Sequence, residues 1–369
     1  MEVKKRAKII TDWINNYCES ASYKPKALVV GISGGIDSSA VLSYIHGSKL
    51  LDETRLELHK AFTLDFEIEN KSEKHYAIQI ANKYSIDHSI INCSEYINKN
   101  LPEIVEKTVY HSEQYGNLMI GPYLLYKSMS DEGYKVSVDG HGADELLGGY
   151  GKFMNDSLFD ALIIDKDENE YTQLRDTWER FGMHVNSREA LLESFSLLLK
   201  QKPSAELTSQ FFAHRYQEFH DTTLPWILDT YDKIPMANGV EVRSPFLDWR
   251  LVTFSFGIPR SSLLRDGLTK KVLRDAVKAY LPIKVFNRTK KLGFGSPLKE
   301  LLKKPQMVEL IVDNCMSSDF INFSNFDGSK ISADILKAIE ASDFCKLVDL
   351  WPYVQLHILV SSLKRIQSD

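Results

Sequence analysis

Apolar positions in the first 150 residues fall into two patterns, short continuous runs and helical stripes. Between Lys5 and Ser20, Ile9, Trp13, Ile14 and Tyr17 recur at helical spacing, which predicts an amphipathic helix. Ala27-Leu28-Val29-Val30 is a continuous apolar run of the kind that forms a strand buried on both faces of a parallel sheet. It leads into Gly31-Ile32-Ser33-Gly34-Gly35-Ile36-Asp37-Ser38-Ser39, after which Ala40-Val41-Leu42 begins a helix. Further strands are predicted at Leu58–Leu64, Asp87–Asn92 and Val136–Val138, with helices over Glu73–Tyr84 and Pro122–Glu132. This alternation predicts an α/β fold with a doubly wound, mostly parallel sheet.

After Tyr150 the pattern changes. Ala190–Leu199, Leu207–Phe219 and Leu347–Leu363 are helical in period, strand-like runs are scarce, and Asp165–Asn169 reads as a solvated loop. The expected organisation is an N-terminal helix over residues 1–25, an α/β nucleotide-binding region over 26–155, and a mainly helical remainder over 156–369.

Composition narrows the classes. With 43% hydrophobic and 26% charged residues, the 369-residue chain can bury a sizeable core and is not a disordered one. Its formal net charge of -5 lacks the basic surplus with which nucleic-acid binders displace counterions, so no nucleic-acid partner is expected. No run of about 18 apolar residues is present to span a bilayer, so no membrane association is expected. The start, Met1-Glu2-Val3-Lys4-Lys5-Arg6, leads into a stretch too polar for a signal peptide. Cys18, Cys93, Cys315 and Cys345 form no CxxC pair, which argues against a zinc, iron–sulfur or disulfide framework and for a cytoplasmic location.

The chemistry begins at the glycine-rich turn. Gly34 and Gly35 permit a tight bend and a close approach of backbone N–H groups to an anion, while Ser33, Ser38 and Ser39 add hydroxyl donors. The helix N-terminus behind them brings partial positive charge, which suits phosphate. It is neither a GxxxxGK[ST] loop nor GxGxxG. An acid, Asp37, inside an anion-binding loop makes sense where a divalent cation is shared with the phosphates. The plainer alternative for a bare Ser-Gly-Gly is a turn that only caps a helix. The full string after a Val-rich strand resembles the PP-loop of ATP pyrophosphatases, which split ATP between its α and β phosphates.

Later segments sharpen the resemblance. Asp139-Gly140-His141-Gly142-Ala143-Asp144-Glu145-Leu146-Leu147-Gly148-Gly149-Tyr150 is similar to the Ser-Gly-Glu-Gly-x-Asp-Glu-x-x-Gly-Gly-Tyr string of asparagine synthetase-type domains. Glu241-Val242-Arg243-Ser244-Pro245-Phe246-Leu247-Asp248 resembles E-x-R-x-P-F-L-D, Lys270–Arg274 resembles K-x-x-L-R, and Arg288–Phe294 resembles R-x-K-x-G-F. In order, these motifs resemble the synthetase domain of the asparagine synthetase / β-lactam synthetase family. The resemblance implies that ATP and Mg2+ are used, that a substrate carboxylate attacks the α-phosphate, and that ammonia or an amine displaces AMP from the acyl-adenylate. It implies that Ser33, Gly34, Gly35, Asp37, Ser38, Ser39 and Gly140 bind ATP and that Asp37 and Asp144 hold the metal. A catalytic lysine is expected in the R-x-K-x-G-F motif. One extra residue before Gly293 leaves Lys290 and Lys291 both open, with Lys291 favoured. Arg243 and Asp248 are expected to tie the helical part to the nucleotide domain, and Arg274 has a structural alternative.

Two departures carry information. The family's amidotransferases open with a glutaminase domain, which is not expected here because the glycine-rich turn is reached by Ser33. Nitrogen is then expected from free ammonium, a primary amine or an ammonia-supplying partner subunit. Second, the family's Gly-Glu-Gly is Gly140-His141-Gly142 here. A neutral imidazole can accept the proton that an ammonium must lose before attack, so His141 is a candidate base, with shaping the pocket as the plainer role. Lys233 and Pro235 stand where an Arg and a Ser are more usual. Tyr110–Asn117 is the expected acceptor loop, and Tyr110 a conceivable partner of His141. The reading is an AMP-forming amide ligase, in asparagine formation, polysaccharide assembly or secondary metabolism. Alternatives are an intramolecular cyclase of the β-lactam or lasso type, a PP-loop tRNA-modifying enzyme, and a catalytically silent scaffold.

Overall fold

In the computed structural model, residues 8–9, 28–47, 58–68, 72–180, 186–201, 208–288 and 296–368 are described. The expected helix at Lys5–Ser20 lies almost wholly outside them, as does Cys18. Five strands form one sheet: β1 (Leu28–Gly31), β2 (Leu58–Asp65), β3 (Asp87–Asn92), β4 (Val136–Val138) and β5 (Glu241–Arg243). Their order is β3-β2-β1-β4-β5, and every pairing is parallel. The chain thus lays β2 and β3 on one side of β1, then crosses to the other side for β4. The crevice where the order reverses, outside the carboxyl ends of β1 and β4, is where open α/β sheets bind ligands.

Alternation along β2 shows why the sheet is covered on both faces. Ala61 belongs to one hydrophobic cluster and Phe62 to another, because successive strand side chains point to opposite faces. On the Ala61 side lie buried residues of the helices Ile36–Gly47 and Lys74–Tyr84. On the Phe62 side lie those of Cys93–Ser112 and Ile120–Asp131. The sheet is therefore doubly wound. From residue 143 to 368 the described chain is mainly helical, and both clusters draw on it through residues such as Phe246 and Trp351.

The strands expected at 58–64, 87–92 and 136–138 appear within a residue of their sequence bounds. Two elements carried no clear sequence signal. The helix Cys93–Ser112 starts on an Asn92 side chain that accepts from the Ser94 and Glu95 amides. It is broken at Asn100, two residues before Pro102, which interrupts the periodic pattern. β5 is three residues long and lies within the E-x-R-x-P-F-L-D motif, too short for alternation to be read.

Candidate active site

Ser33 to Ser39 cross from β1 into the helix Ile36–Gly47, as the Gly/Ser composition requires. Gly34 has φ +69°, and a Cβ there would come within 2.5 Å of the Tyr76 Cβ. Only glycine satisfies both demands at low cost. Ser33 Oγ accepts from the Gly35 amide at 3.2 Å and Ser38 Oγ accepts from the Ser33 amide at 3.3 Å, so two hydroxyls hold the loop open. The Ser39 Oγ is buried and makes no hydrogen bond among the described residues. A buried hydroxyl without a partner is costly unless a ligand completes it, which fits an anion at this helix end.

The acid of this loop meets an acid of the second motif. Lys270 Nζ donates to both oxygens of Asp37 at 2.6 Å and lies 2.7 Å from Asp144 Oδ1. All three side chains are nearly buried. Lys270 reaches this point from a left-handed backbone (φ +52°) at the start of the helix Lys271–Val277. Space for it is made by Gly149, where a Cβ would sit 2.2 Å from Lys270 Cε and 2.0 Å from Asp144 Oδ1. Gly140 is equally constrained, since a Cβ there would come within 2.9 Å of both Asp37 Cβ and the Ser38 amide nitrogen. Two carboxylates converging on one lysine leave a net negative charge, and this donor set fits a divalent cation shared with phosphate oxygens. Among the described residues, no group of three or more His, Cys, Asp and Glu is placed to hold a metal unaided.

Glu145 faces elsewhere. Burial pushes its carboxyl pKa up, and the Tyr150 hydroxyl donates to it, so the Glu and Tyr of the second motif brace each other.

A second polar cluster lies at the end of β4. The Asp139 carboxylate is buried and accepts from Tyr126 OH at 2.5 Å and Ser137 Oγ at 2.6 Å. Burial by itself would raise its pKa, but the contacts with His141, Ser137 and Tyr126 outweigh burial and hold it below the ordinary carboxylate value. His141 Nε2 lies 3.6 Å from Asp139 Oδ2, and the ring packs on Tyr231 with centroids 4.2 Å apart. Tyr110 packs instead on its neighbour His111.

The asparagine synthase family model matches residues 26–350. The chain belongs to this family. It is 26% identical over 333 residues to asparagine synthetase [glutamine-hydrolyzing] 1 of Bacillus subtilis, covering 79% of this chain and 50% of that protein. It is 28% identical over 316 residues to a putative asparagine synthetase [glutamine-hydrolyzing] of Mycobacterium bovis, covering 75% and 46%. Amidase chry2 of Gibberella zeae is 27% identical over 331 residues, covering 73% and 49%. The chain thus spans about half the length of the curated relatives it matches. Among solved structures, the NH3-dependent NAD synthetase of Campylobacter jejuni aligns with TM-score 0.28 and 17% identity, covering 59% of this chain and 93% of that one.

Lys290 and Lys291 lie outside the described residues. Their flanks are described. Arg274 donates to the carbonyls of Thr269 at 2.9 Å, of Arg288 at 2.8 Å, and of Phe286. Arg288 approaches the Ser33 carbonyl (3.4 Å), pairs with Glu73 and lies over the Tyr76 ring. Burial pushes the Arg288 guanidinium down to about 10. At the far flank, Ser296 Oγ accepts from the Gly121 amide at 3.1 Å. Arg274 is therefore a brace for the loop, the structural role left open for it. Asp248 makes local contacts, capping the helix Trp249–Phe256 and pairing with Arg250 at 2.8 Å, rather than the inter-region tie expected of it. A cleft of about 580 Å³ is lined by residues that include Tyr76, Ile283 and Arg288, and Asp37 is not in its lining.

Residues of the expected acceptor loop are held from two sides. Gln355, buried in the helix Phe344–Ser368, donates to the carbonyls of Gln114 and Asn117 at 3.0 Å and accepts from the Gly116 amide at 3.2 Å. Gln114 Nε2 donates to Asp229 at 3.1 Å, and Lys233 joins Glu113 to Asp229. Sequence reasoning missed Lys270, although it opens the K-x-x-L-R motif, and it missed Asp139 and Gln355. Among the described residues, no helix is long and apolar enough to cross a membrane.

Proposed function

We propose that this chain is an ATP-dependent amide ligase that adenylates a substrate carboxylate, releases pyrophosphate, and transfers ammonia or an amine to the acyl group with loss of AMP. The observation that carries the reading is the convergence of Asp37, Asp144 and Lys270 beneath a glycine loop at the β1/β4 crevice, in a member of the asparagine synthase family. The amides and hydroxyls of Ser33, Gly34, Gly35, Ser38 and Ser39 bind the pyrophosphate portion of ATP. Gly140, which admits no side chain, lets the nucleotide lie against the end of β4.

Asp37 and Asp144 hold Mg2+ together with the phosphates. When bound, Mg2+ screens the charge that gathers on the triphosphate as the carboxylate approaches. Lys270 is a fixed positive charge at the same place and orients both acids. Lys291, with Lys290 as the alternative, supplies positive charge to the reacting phosphate. Arg288, two to three residues earlier in the same motif, lies against Ser33. His141 accepts a proton from the incoming ammonium. The carboxylate belongs to the amino acids, uronic acids or secondary-metabolite acids, and the nitrogen comes from free ammonium, an amine or an ammonia-supplying partner subunit. The protein works in the cytoplasm.

Incubating the protein with Mg–ATP, ammonium and a panel of such carboxylates tests the reading. Carboxylate-dependent release of pyrophosphate and AMP in equal amounts is expected, and Asp37→Ala should abolish it. Release of ADP and phosphate, or full turnover by Asp37→Ala, would overturn it.

A further inference from the structure

Asp139 and His141 stand where the family string carries Ser and Glu, so the acid of that string lies two residues earlier in this chain. Both residues lie just beyond the end of β4, and the two side chains meet there. The Asp139 carboxylate is buried, and among the described residues its side-chain polar partners are the Tyr126 and Ser137 hydroxyls and His141. Among the described residues His141 Nε2 is buried without a hydrogen-bond partner, and Asp139 Oδ2 is 3.6 Å away. A small ring rotation closes that gap to hydrogen-bond length, and such contacts often tighten only when substrate binds. Tyr231 limits the ring's other freedom by packing on its face.

We propose that Asp139 is a positioning residue that fixes His141 as the Nε2–H tautomer and leaves Nδ1 to take the proton from the incoming ammonium. This rests on the ligase reading above. The ammonium gives one proton to Nδ1, producing an imidazolium beside a carboxylate and a neutral amine. The amine lone pair forms the C–N bond, the C–O bond to AMP breaks with its electron pair, and the nitrogen gives its second proton to the phosphate of the departing AMP as the amide forms. His141 passes its proton to solvent. A carboxylate–imidazole pair thus does here what a single glutamate would do in the family string, with Asp139 held in place by the Ser137 and Tyr126 hydroxyls.

Hydroxylamine is a much weaker base than ammonia and is neutral near pH 7, so it needs no base before attack. Asp139→Asn and His141→Ala should each keep ATP–pyrophosphate exchange within about threefold of wild type. Both should form amide from ammonium about 100-fold more slowly, and both should recover near wild-type rates with hydroxylamine. Equal loss with both nucleophiles, or equal loss of exchange and amide formation, would overturn the proposal. A second readout does not depend on ligase activity. The wild-type chain should show a downfield ring N–H resonance from His141 that Asp139→Ala removes. Its absence from the wild type would overturn the pairing, whereas its presence without carboxylate-dependent exchange would leave the pairing standing and reject the ligase reading.

Discussion

Lys270 and Asp37 are 233 positions apart in the sequence, yet the Lys270 ammonium lies 2.6 Å from both oxygens of the Asp37 carboxylate. With Asp144 on its other side, the lysine is the positive charge of a buried trio. Removing one member of such a group leaves uncompensated charge away from water, at a cost of about 3 kcal/mol. Lys270→Met should therefore lower the melting temperature by several degrees. Because Asp37 and Asp144 would then face each other, Mg2+ should restore much of the loss in the variant and do little for the wild type. Thermal melts with and without Mg2+ check this, and a variant indifferent to Mg2+ would count against the two acids as its ligands.

Gly149 makes a sharper steric prediction. A Cβ there meets Asp144 Oδ1 at 2.0 Å and Lys270 Cε at 2.2 Å, whereas at Gly151 the nearest neighbour is Met154 Cε at 3.9 Å. Overpacking in a closed site costs about 1–3 kcal/mol, and here it displaces the groups expected to act on ATP. Gly149→Ala should lose pyrophosphate release by about 100-fold or more, while Gly151→Ala two residues away stays close to wild type. Comparable activity in the two variants would show that the Asp144–Lys270 geometry is not needed.

What the sequence disclosed depended on distance along the chain. The strand, turn and helix around Ser33–Ser39 are local, so the Val-rich run, the paired glycines and the following apolar stripe announce them together. Val136–Val138 was legible for the same reason. Lys270 was not, because nothing local says that a motif lysine crosses 233 positions to reach Asp37. The Asp139–His141 relationship was half visible. His141 stood out as a substitution, but the value of Asp139 depends on Tyr126 and Ser137 delivering their hydroxyls to it. Gln355 sits in a helix whose apolar period is plain, and its side chain reads as an interruption until the loop carbonyls it binds are seen.

Acid stability should carry a mark of the end of β2. Burial would by itself raise the Asp65 carboxyl, but Lys74 at 2.5 Å and the Glu67 amide outweigh it, so its pKa lies below the ordinary value. A carboxyl lowered on folding stabilises the native state above its unfolded pKa, and the benefit is lost as pH falls through the folded pKa. Asp65→Asn should melt below wild type near neutral pH, with the gap closing below about pH 4. A gap that stays constant down to the most acidic melts would assign the effect to packing instead of charge.

Gln355 links the helix Phe344–Ser368 to the expected acceptor loop through three backbone groups of residues 114, 116 and 117. Replacing it by leucine keeps the bulk and strands two carbonyls and an amide, each costing about 1–3 kcal/mol if it stays buried. The loop can relieve most of that cost by moving toward water. The expected outcome for Gln355→Leu is thus a modest loss of stability and a KM for the carboxylate raised about tenfold or more, by the free-energy scale of one lost buried hydrogen bond. The KM for ATP should be unchanged, because the glycine loop, Asp37 and Lys270 make none of these contacts. Parallel steady-state measurements varying each substrate distinguish the cases. A rise in both KM values would mean that the helix supports the whole site, and no change in either would remove residues 113–117 from the acceptor pocket.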